Sequence, residues 1–104
     1  MHDIQLAVPK LGHRLFRNNV GVFTTARGTR VRTGLCKGSS DLIGMLGCCG
    51  RFLAVEVKTD EGGDGTDEQR QFLDMVNKLG GYGFIARSVE ETITKIKEHS
   101  CRTT

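Results

Sequence analysis

The sequence predicts an α/β domain, in which strands and helices alternate along the chain and pack around one mixed sheet. Three observations predict this class. The run Arg51–Thr59 is rich in valine, leucine and phenylalanine and is the strongest strand signal in the chain. Two capping boxes, Thr66-x-x-Gln69 and Ser88-x-x-Glu91, each open a segment with apolar residues at helical spacing. A further short strand, Tyr82–Arg87, lies between those two helices.

The N-terminal part of the chain carries weaker signals. Residues 4–11 predict a short amphipathic helix, which Pro9 is expected to kink or delay. A short strand is predicted over Arg14–Phe16, before the loop-forming run Asn18–Gly21. The segment Gly21–Gly38 mixes glycine, threonine and arginine with a few apolar residues. It is interpreted as a weak hairpin or a mobile loop.

The centre of the chain predicts a hairpin with a defined register. Strands 41–46 and 52–59 would pair around a turn centred on Cys48-Cys49. The numbers of partner residues across such a hairpin sum to 97, which places Asp41 opposite Glu56. The register therefore brings together two carboxylates that are fifteen positions apart in the chain.

The predicted pair of carboxylates suggests a chemical function. Strand alternation places Glu56 and Lys58 on one face of the sheet and Val55 and Val57 on the other. Directly opposed side chains have Cβ atoms roughly 4.5–5.5 Å apart, where like charges are destabilising. A sheet that places Asp41 opposite Glu56 at this cost is expected to hold a cation between them. An acidic pair around a divalent metal, with a lysine nearby, is the chemistry of phosphodiester hydrolysis.

Composition and cysteine spacing narrow the class of protein. With 38% hydrophobic and 26% charged residues, the 104-residue chain is expected to be one soluble domain, residues 1–104, with a modest core. No apolar run approaches the roughly 18 residues of a membrane span. Secretion is not expected, because Met1-His2-Asp3-Ile4 has no basic n-region followed by an apolar stretch. The four cysteines show no Cys-x-x-Cys spacing, and adjacent Cys48 and Cys49 do not easily bridge each other. A cytoplasmic protein with reduced thiols, no zinc site and no membrane partner is expected.

Charge is distributed unevenly along the chain. The formal net charge is only +3, but the stretch Ile4–Ser40 contains no acidic residue and seven basic ones. From Asp41 onward the chain holds eleven of its twelve acids. This asymmetry favours a polyanion as the partner of the first third of the chain. The alternative is a merely solvated basic surface. Beside a phosphodiesterase site, nucleic acid is the better explanation.

Taken in order, the motifs resemble the VRR-NUC (virus-type replication-repair nuclease) family of the PD-(D/E)xK nuclease superfamily. The resemblance covers nearly the whole chain and implies a restriction-endonuclease-like mixed central β-sheet flanked by helices. The matching segments are Arg17-Asn18-Asn19-x-Gly21, Gly38-Ser39-Ser40-Asp41-Leu42-Ile43-Gly44, Val55-Glu56-Val57-Lys58, Gln69-x-x-Phe72 and Gly80-Gly81 before Phe84-Ile85-Ala86-Arg87-Ser88.

The resemblance implies a metal site and its catalytic partners. Asp41 and Glu56 would ligate Mg²⁺ or Mn²⁺, with the Val57 carbonyl completing the protein's share. Lys58 would orient or help deprotonate the attacking water and offset charge in the transition state. Gln69 would lie beside the lysine and fix it or the water. Its other expected role is that of capping-box partner, and the two roles can coexist.

The resemblance also implies DNA contacts and shows one departure from the family pattern. The contacts are expected from Arg17, Asn18, Asn19, Lys37, Ser39 and Ser40. Local turn hydrogen bonds are the alternative role for the asparagines. The family often carries a glutamate on its first helix that contributes to the metal site, and only Asp3 is nearby here. Either the site operates with fewer acids, or Asp3 takes that place.

These implications together predict a Mg²⁺-dependent endonuclease that acts on DNA and has no small-molecule substrate. Stand-alone domains of this kind resemble phage-borne nucleases of the bacterial host cytoplasm, which act as homodimers on branched DNA, including four-way (Holliday) junctions. A monomeric flap or nicking nuclease, a catalytically weak DNA-binding module and a metal-binding interaction domain are the alternatives. The composition alone indicates no apolar patch that would predict a dimer.

Overall fold

A mixed four-stranded sheet with helices on both faces forms the body of the protein. The computed structural model describes residues 1–59, 63 and 65–99, the last without its side chain. The sheet has the strand order β1-β4-β5-β6, in which only the β5–β6 pair is parallel. The predicted α/β class with a mixed sheet is confirmed. In chain order the elements are α1 (His2–Ala7), a 3₁₀ helix (Val8–Leu11), β1 (Arg14–Arg17), β2 (Gly21–Thr24), β3 (Arg30–Thr33), β4 (Leu42–Met45), β5 (Phe52–Val57), α2 (Asp67–Lys78), β6 (Tyr82–Ala86) and α3 (Val89–His99).

The central β4–β5 hairpin has the predicted register. Leu42 pairs with Val55 and Met45 pairs with Phe52, so the partner numbers sum to 97. Gly44 is required for the approach of β1, because a Cβ atom there would lie 1.9 Å from the Arg14 carbonyl oxygen. The register is therefore set by the turn on one side and by this close strand contact on the other.

The two cysteines in the β4–β5 turn are not in the reduced state that the sequence predicts. Cys48 and Cys49 are both disulfide-bonded in the structure, so the prediction of reduced thiols is wrong for these two residues. Cys36 is a free, exposed thiol in the loop before β4. Cys101 lies outside the described residues.

Each face of the sheet is covered by different helices. On one face, α1 and α3 pack on the side chains of Leu53 and Val55, which are fully buried. On the other face, α2 packs Phe72, Leu73 and Val76 against Ala54. Because strand residues alternate between faces, Glu56 lies on the same face as Ala54, on the α2 side.

The helix boundaries follow the predicted local signals. The first helix changes from α to 3₁₀ geometry at the turn that contains Pro9, which cannot donate to the preceding turn. Both hydrogen bonds of the Thr66–Gln69 capping box are present at the start of α2. At the start of α3, the Ser88 hydroxyl accepts the Glu91 N–H at 3.0 Å. These predicted helix starts are confirmed.

The β2–β3 hairpin lies outside the four-stranded sheet and forms a two-stranded sheet of its own. Every residue of β2 is exposed, and β3 is at most half-buried. The hairpin interpretation of Gly21–Gly38 is therefore confirmed. None of the helices in the described part of the chain is long and apolar enough to cross a bilayer.

Candidate active site

The site begins where β4 starts and β5 ends, at one edge of the α2 face. Asp41 immediately precedes β4, and the register places it next to Glu56 near the end of β5. The Val57 N–H donates a hydrogen bond of 3.0 Å to Asp41 Oδ2, which holds the aspartate against β5. Glu56 is only 2% exposed. The predicted meeting of the two carboxylates is thus present in the fold.

Lys58 and Gln69 meet Glu56 on the α2 side of the sheet. The Gln69 amide nitrogen donates to Glu56 Oε1 at 3.0 Å. Lys58 Nζ donates to Gln69 Oε1 at 3.1 Å and lies 3.5 Å from Glu56 Oε1. The three side chains therefore form a closed triangle, in which each one touches the other two.

Gln69 belongs both to this triangle and to the capping box at the start of α2. Its Oε1 atom also accepts the Thr66 backbone N–H at 2.9 Å, which is the capping-box bond. An amide oxygen has two lone pairs, and both are used here, by Thr66 and Lys58. The capping role and the contact with Lys58 coexist. Gln69, the third residue of α2, thus links the start of the helix to the lysine.

Glu56 is electrostatically unusual. Burial raises its pKa to about 7, the neighbouring Asp41 charge adds to the increase, and Lys58 opposes it. Its Oε2 atom is buried and has no hydrogen-bond partner among the described residues. A buried polar atom without a partner is costly. Near neutral pH the two carboxylates therefore favour either a shared proton or a cation.

The donor set fits a small divalent cation. Asp41 and Glu56 offer hard carboxylate oxygens, which Mg²⁺ prefers. In a strand the N–H and C=O of one residue point to the same side, so the Val57 carbonyl lies on the Asp41 side. No group of three or more His, Cys, Asp or Glu side chains suited to a metal occurs in the described ranges. The structure thus does not bring Asp3 into such a group with the pair.

Asn18 holds the loop that carries Asp41. Its side-chain nitrogen donates to Ser39 Oγ at 2.7 Å and to the Ser40 carbonyl at 2.9 Å. Its Oδ1 atom accepts the Leu35 N–H at 2.7 Å, and its backbone N–H donates to the Asp41 carbonyl at 2.8 Å. No local sequence signal predicts this clamp, because it joins residues about twenty positions apart.

The two serines predicted to contact DNA are buried in the same loop. Ser39 Oγ donates to the Cys36 carbonyl at 2.6 Å, and Ser40 Oγ donates to the Leu42 carbonyl at 2.8 Å. The exposed fractions are 5% for Ser39 and 1% for Ser40. Their contacts observed here are therefore internal ones that shape the turn before Asp41.

The other predicted DNA contacts lie on the surface around the site. Arg17 ends β1 and is exposed, as is Asn19. Lys37 is exposed and lies 3.4 Å from Glu68 on α2. A cavity of about 370 Å³ opens beside Asp41. Its lining consists of Met1, Asn18, Asn19, Val20, Gly38, Ser39, Asp41 and Gln69.

The geometry agrees with the outcome of the sequence comparisons. No curated protein matches the chain significantly. The family model of the VRR-NUC domain, in contrast, matches residues 16–90, which is well over half of the 104-residue chain. The match includes the Asn18 clamp, both carboxylates, the lysine and the glutamine. This protein belongs to the VRR-NUC family and carries a nuclease domain that acts on DNA.

Proposed function

We propose that the domain is a Mg²⁺- or Mn²⁺-dependent endonuclease that hydrolyses DNA phosphodiester bonds, with branched DNA such as four-way junctions as its preferred substrate. The proposed metal dependence rests on the environment of the Glu56 carboxylate. Its Oε1 atom is held by Gln69 and Lys58, while its buried Oε2 atom has no partner in the described part of the chain. The Glu56 carboxyl group also interacts with Asp41, so a cation bound by both groups would relieve the repulsion between them and give Oε2 a partner.

Three residues would hold the ion: Asp41 and Glu56 through carboxylate oxygens and Val57 through its carbonyl. When bound, the ion would polarise the scissile phosphate and lower the pKa of a coordinated water. The chain's own contribution is the fixed placement of these oxygens. Asp41 is held by the Val57 N–H and by the loop that Asn18 clamps.

Lys58 supplies the positive charge of the protein at the reacting phosphate. An ammonium group has three N–H donors, and those of Lys58 reach Gln69 Oε1 and Glu56 Oε1. The third can donate to the attacking water or to a phosphate oxygen. Charge that develops on the phosphate is then stabilised by a donor already held in position. Gln69 is a positioning residue, because its amide holds Lys58, Glu56 and the start of α2.

Exposed basic and polar residues around the cavity support phosphate contacts by Arg17, Asn19 and Lys37. The exposed ion pair between Lys37 and Glu68 is weak enough to exchange for a phosphate. Asn18, Ser39 and Ser40 are buried, which favours an indirect role in which they set the position of Asp41.

A homodimer completes the proposal, because symmetric cleavage of a junction needs two active sites. An exposed apolar patch supports a second copy of the chain as partner. At the C-terminal end of α2, Leu79 is 80% exposed and Met75 is 45% exposed. With Leu35 and Phe52 they line a shallow groove of about 190 Å³.

Cleavage of labelled single-stranded, duplex, flap and four-way-junction DNA tests the enzymatic part of the proposal. Wild type and Asp41→Asn are compared in Mg²⁺, Mn²⁺ and EDTA. The expected result is cleavage in metal only, fastest on the junction and abolished by Asp41→Asn. Binding without cleavage in any metal would instead support a DNA-binding module.

Sedimentation of the free protein tests the dimer separately. Leu79→Glu is expected to shift the protein from dimer to monomer without loss of the fold. A wild-type monomer that still cuts flaps or nicks would favour the monomeric alternative.

A further inference from the structure

The β2–β3 hairpin presents its arginines on one face. The register pairs Val22 with Arg32 and Thr24 with Arg30. Residues two apart in a strand point to the same face, and directly paired residues on neighbouring strands also point to the same face. These four side chains therefore lie on one side of the hairpin. We call this side the arginine face. Phe23 lies on the opposite side of the hairpin.

The arginine face continues into the active-site cavity. A groove of about 320 Å³ is lined by Val20, Gly21, Val22, Arg32 and Lys37. Val20 also lines the cavity that contains Asp41, so the two depressions adjoin at this residue. A strand of DNA that passes Asp41 would therefore meet Lys37 and Arg32 next.

The arginines of the hairpin form no ion pair within the part of the chain that the structure describes. The segment Ile4–Ser40 contains no carboxylate side chain. Arg27, Arg30 and Arg32 make no ion pair with any residue that the structure describes, and all three are exposed. Exposed arginines without partners on a strand face suit phosphate oxygens, to which guanidinium groups bind with two parallel hydrogen bonds.

We propose that the arginine face of the β2–β3 hairpin binds the DNA backbone on one side of the scissile phosphodiester and anchors that duplex arm. This inference rests on the proposed function only in taking DNA as the substrate. The paired strand Gly21–Thr24 is about 10 Å long at the usual rise of a strand. At 3.4 Å per base pair, this length matches about three base pairs of duplex.

The test is DNA binding in EDTA, at several salt concentrations, by wild type and by the double variant Arg30→Ala/Arg32→Ala. The matched control is Arg51→Ala/Lys78→Ala, which removes the same charge from exposed positions at the far ends of β5 and α2. The hairpin variant is expected to bind about ten-fold more weakly or worse. Its plot of log K against log salt should lose about two units of slope, one for each lost phosphate contact. The control should match wild type within about two-fold.

Two further measurements test whether the loss of binding comes from the arginine face. Arg30→Lys/Arg32→Lys should keep the salt slope of wild type, because the charges remain, but bind more weakly than wild type, because lysine lacks the two-pronged guanidinium contact. On DNA that ends within about three base pairs of the scissile phosphodiester, the difference between wild type and the alanine variant should shrink. Thermal unfolding of each variant checks that the fold is intact, which is expected because the hairpin lies outside the core.

Equal affinity and equal salt slope for wild type and the hairpin variant would overturn the inference. So would an equal loss in the control, since that would indicate a general effect of net charge. Because binding is measured without metal, these outcomes do not depend on whether the protein cleaves DNA. A failure of metal-dependent cleavage would count against the proposed function alone.

Discussion

The active-site end of the four-stranded sheet and the β2–β3 hairpin differ in what holds their functional side chains. At the active site, Glu56 is buried and both its neighbours, Lys58 and Gln69, are fixed by further hydrogen bonds. In the hairpin, Arg30 and Arg32 are exposed and have no ion-pair partner among the described residues.

The difference matches the chemistry proposed for each region. Charge stabilisation in a transition state requires donors already in position, since reorganisation at the moment of reaction raises the barrier. Attraction to a phosphate backbone needs only charge near the DNA surface, and it tolerates mobile side chains. Substitutions in the two regions should therefore affect different measured quantities.

Lys58→Ala is expected to have the largest effect. It removes the positive charge at the reacting phosphate, so the single-turnover cleavage rate at saturating enzyme should fall by about 10²–10³-fold. Arg30→Ala/Arg32→Ala is the contrasting variant, which should keep that rate and lose affinity instead. The comparison fails if the arginine variant loses the saturated rate as severely as the lysine variant.

Truncation of an apolar side chain should destabilise the protein much more in the four-stranded sheet than in the β2–β3 hairpin. Leu53→Ala removes a fully buried side chain from β5 and is expected to cost about 2–5 kcal/mol in the free energy of unfolding. Phe23→Ala changes a side chain that is 52% exposed and should cost within about 0.5 kcal/mol. Urea unfolding of both variants measures the difference. Similar losses would show that the hairpin contributes to the cooperative core after all.

Gln69→Ala should lower cleavage about 10–100-fold, because Lys58 and Glu56 lose the group that holds them. Thr66→Ala is its control, since it removes the cap hydroxyl at a cost of about 1 kcal/mol of stability but leaves the Gln69 amide. The two variants are compared by cleavage rate and by thermal unfolding. An equal loss of activity in both would mean that Gln69 acts only through the helix cap.

The pKa of Glu56 predicts how the stability of the metal-free protein depends on pH. Because burial raises this pKa from 4.5 to about 7, the folded state binds more protons than the unfolded state between those values. The stability contributed by the protonated group is therefore present below pH 4.5 and is lost as pH rises through about 7. Glu56→Gln should be more stable than wild type at pH 8, by roughly 1–3 kcal/mol, and similar to it at pH 4.

Urea unfolding in EDTA at the two pH values measures this effect. Glu68→Gln, at a half-exposed position on α2, is the matched control and should show no such difference. Parallel loss of stability in wild type and Glu56→Gln between pH 4 and 8 would contradict the prediction.

Local rules predicted the central hairpin and the helix starts well. The turn centred on Cys48-Cys49 predicted the register that pairs Leu42 with Val55, and this register brings Asp41 to Glu56. The Thr66–Gln69 capping box needs only residues three positions apart. The state of Cys48 and Cys49 was predicted wrongly, although the two residues are adjacent.

Contacts between distant segments were not predictable in this way. Asn18 was expected to face DNA, yet its side chain is buried against Ser39 and Ser40, more than twenty positions away. The exposed apolar patch around Leu79 was also missed, since composition does not indicate which apolar residues stay at the surface.

The sequence by itself determined the α/β class, the hairpin register, the capping box and the identity of the acidic pair, because each depends on spacing along a strand or a helix turn. Only the tertiary structure decided that Gln69 joins Lys58 to Glu56, that Asn18 supports Asp41, and that the arginine face adjoins the cavity. These features depend on how α2, the loop before β4 and the hairpin approach the sheet. That approach is set by packing and by hydrogen bonds between distant segments, which no local pattern encodes.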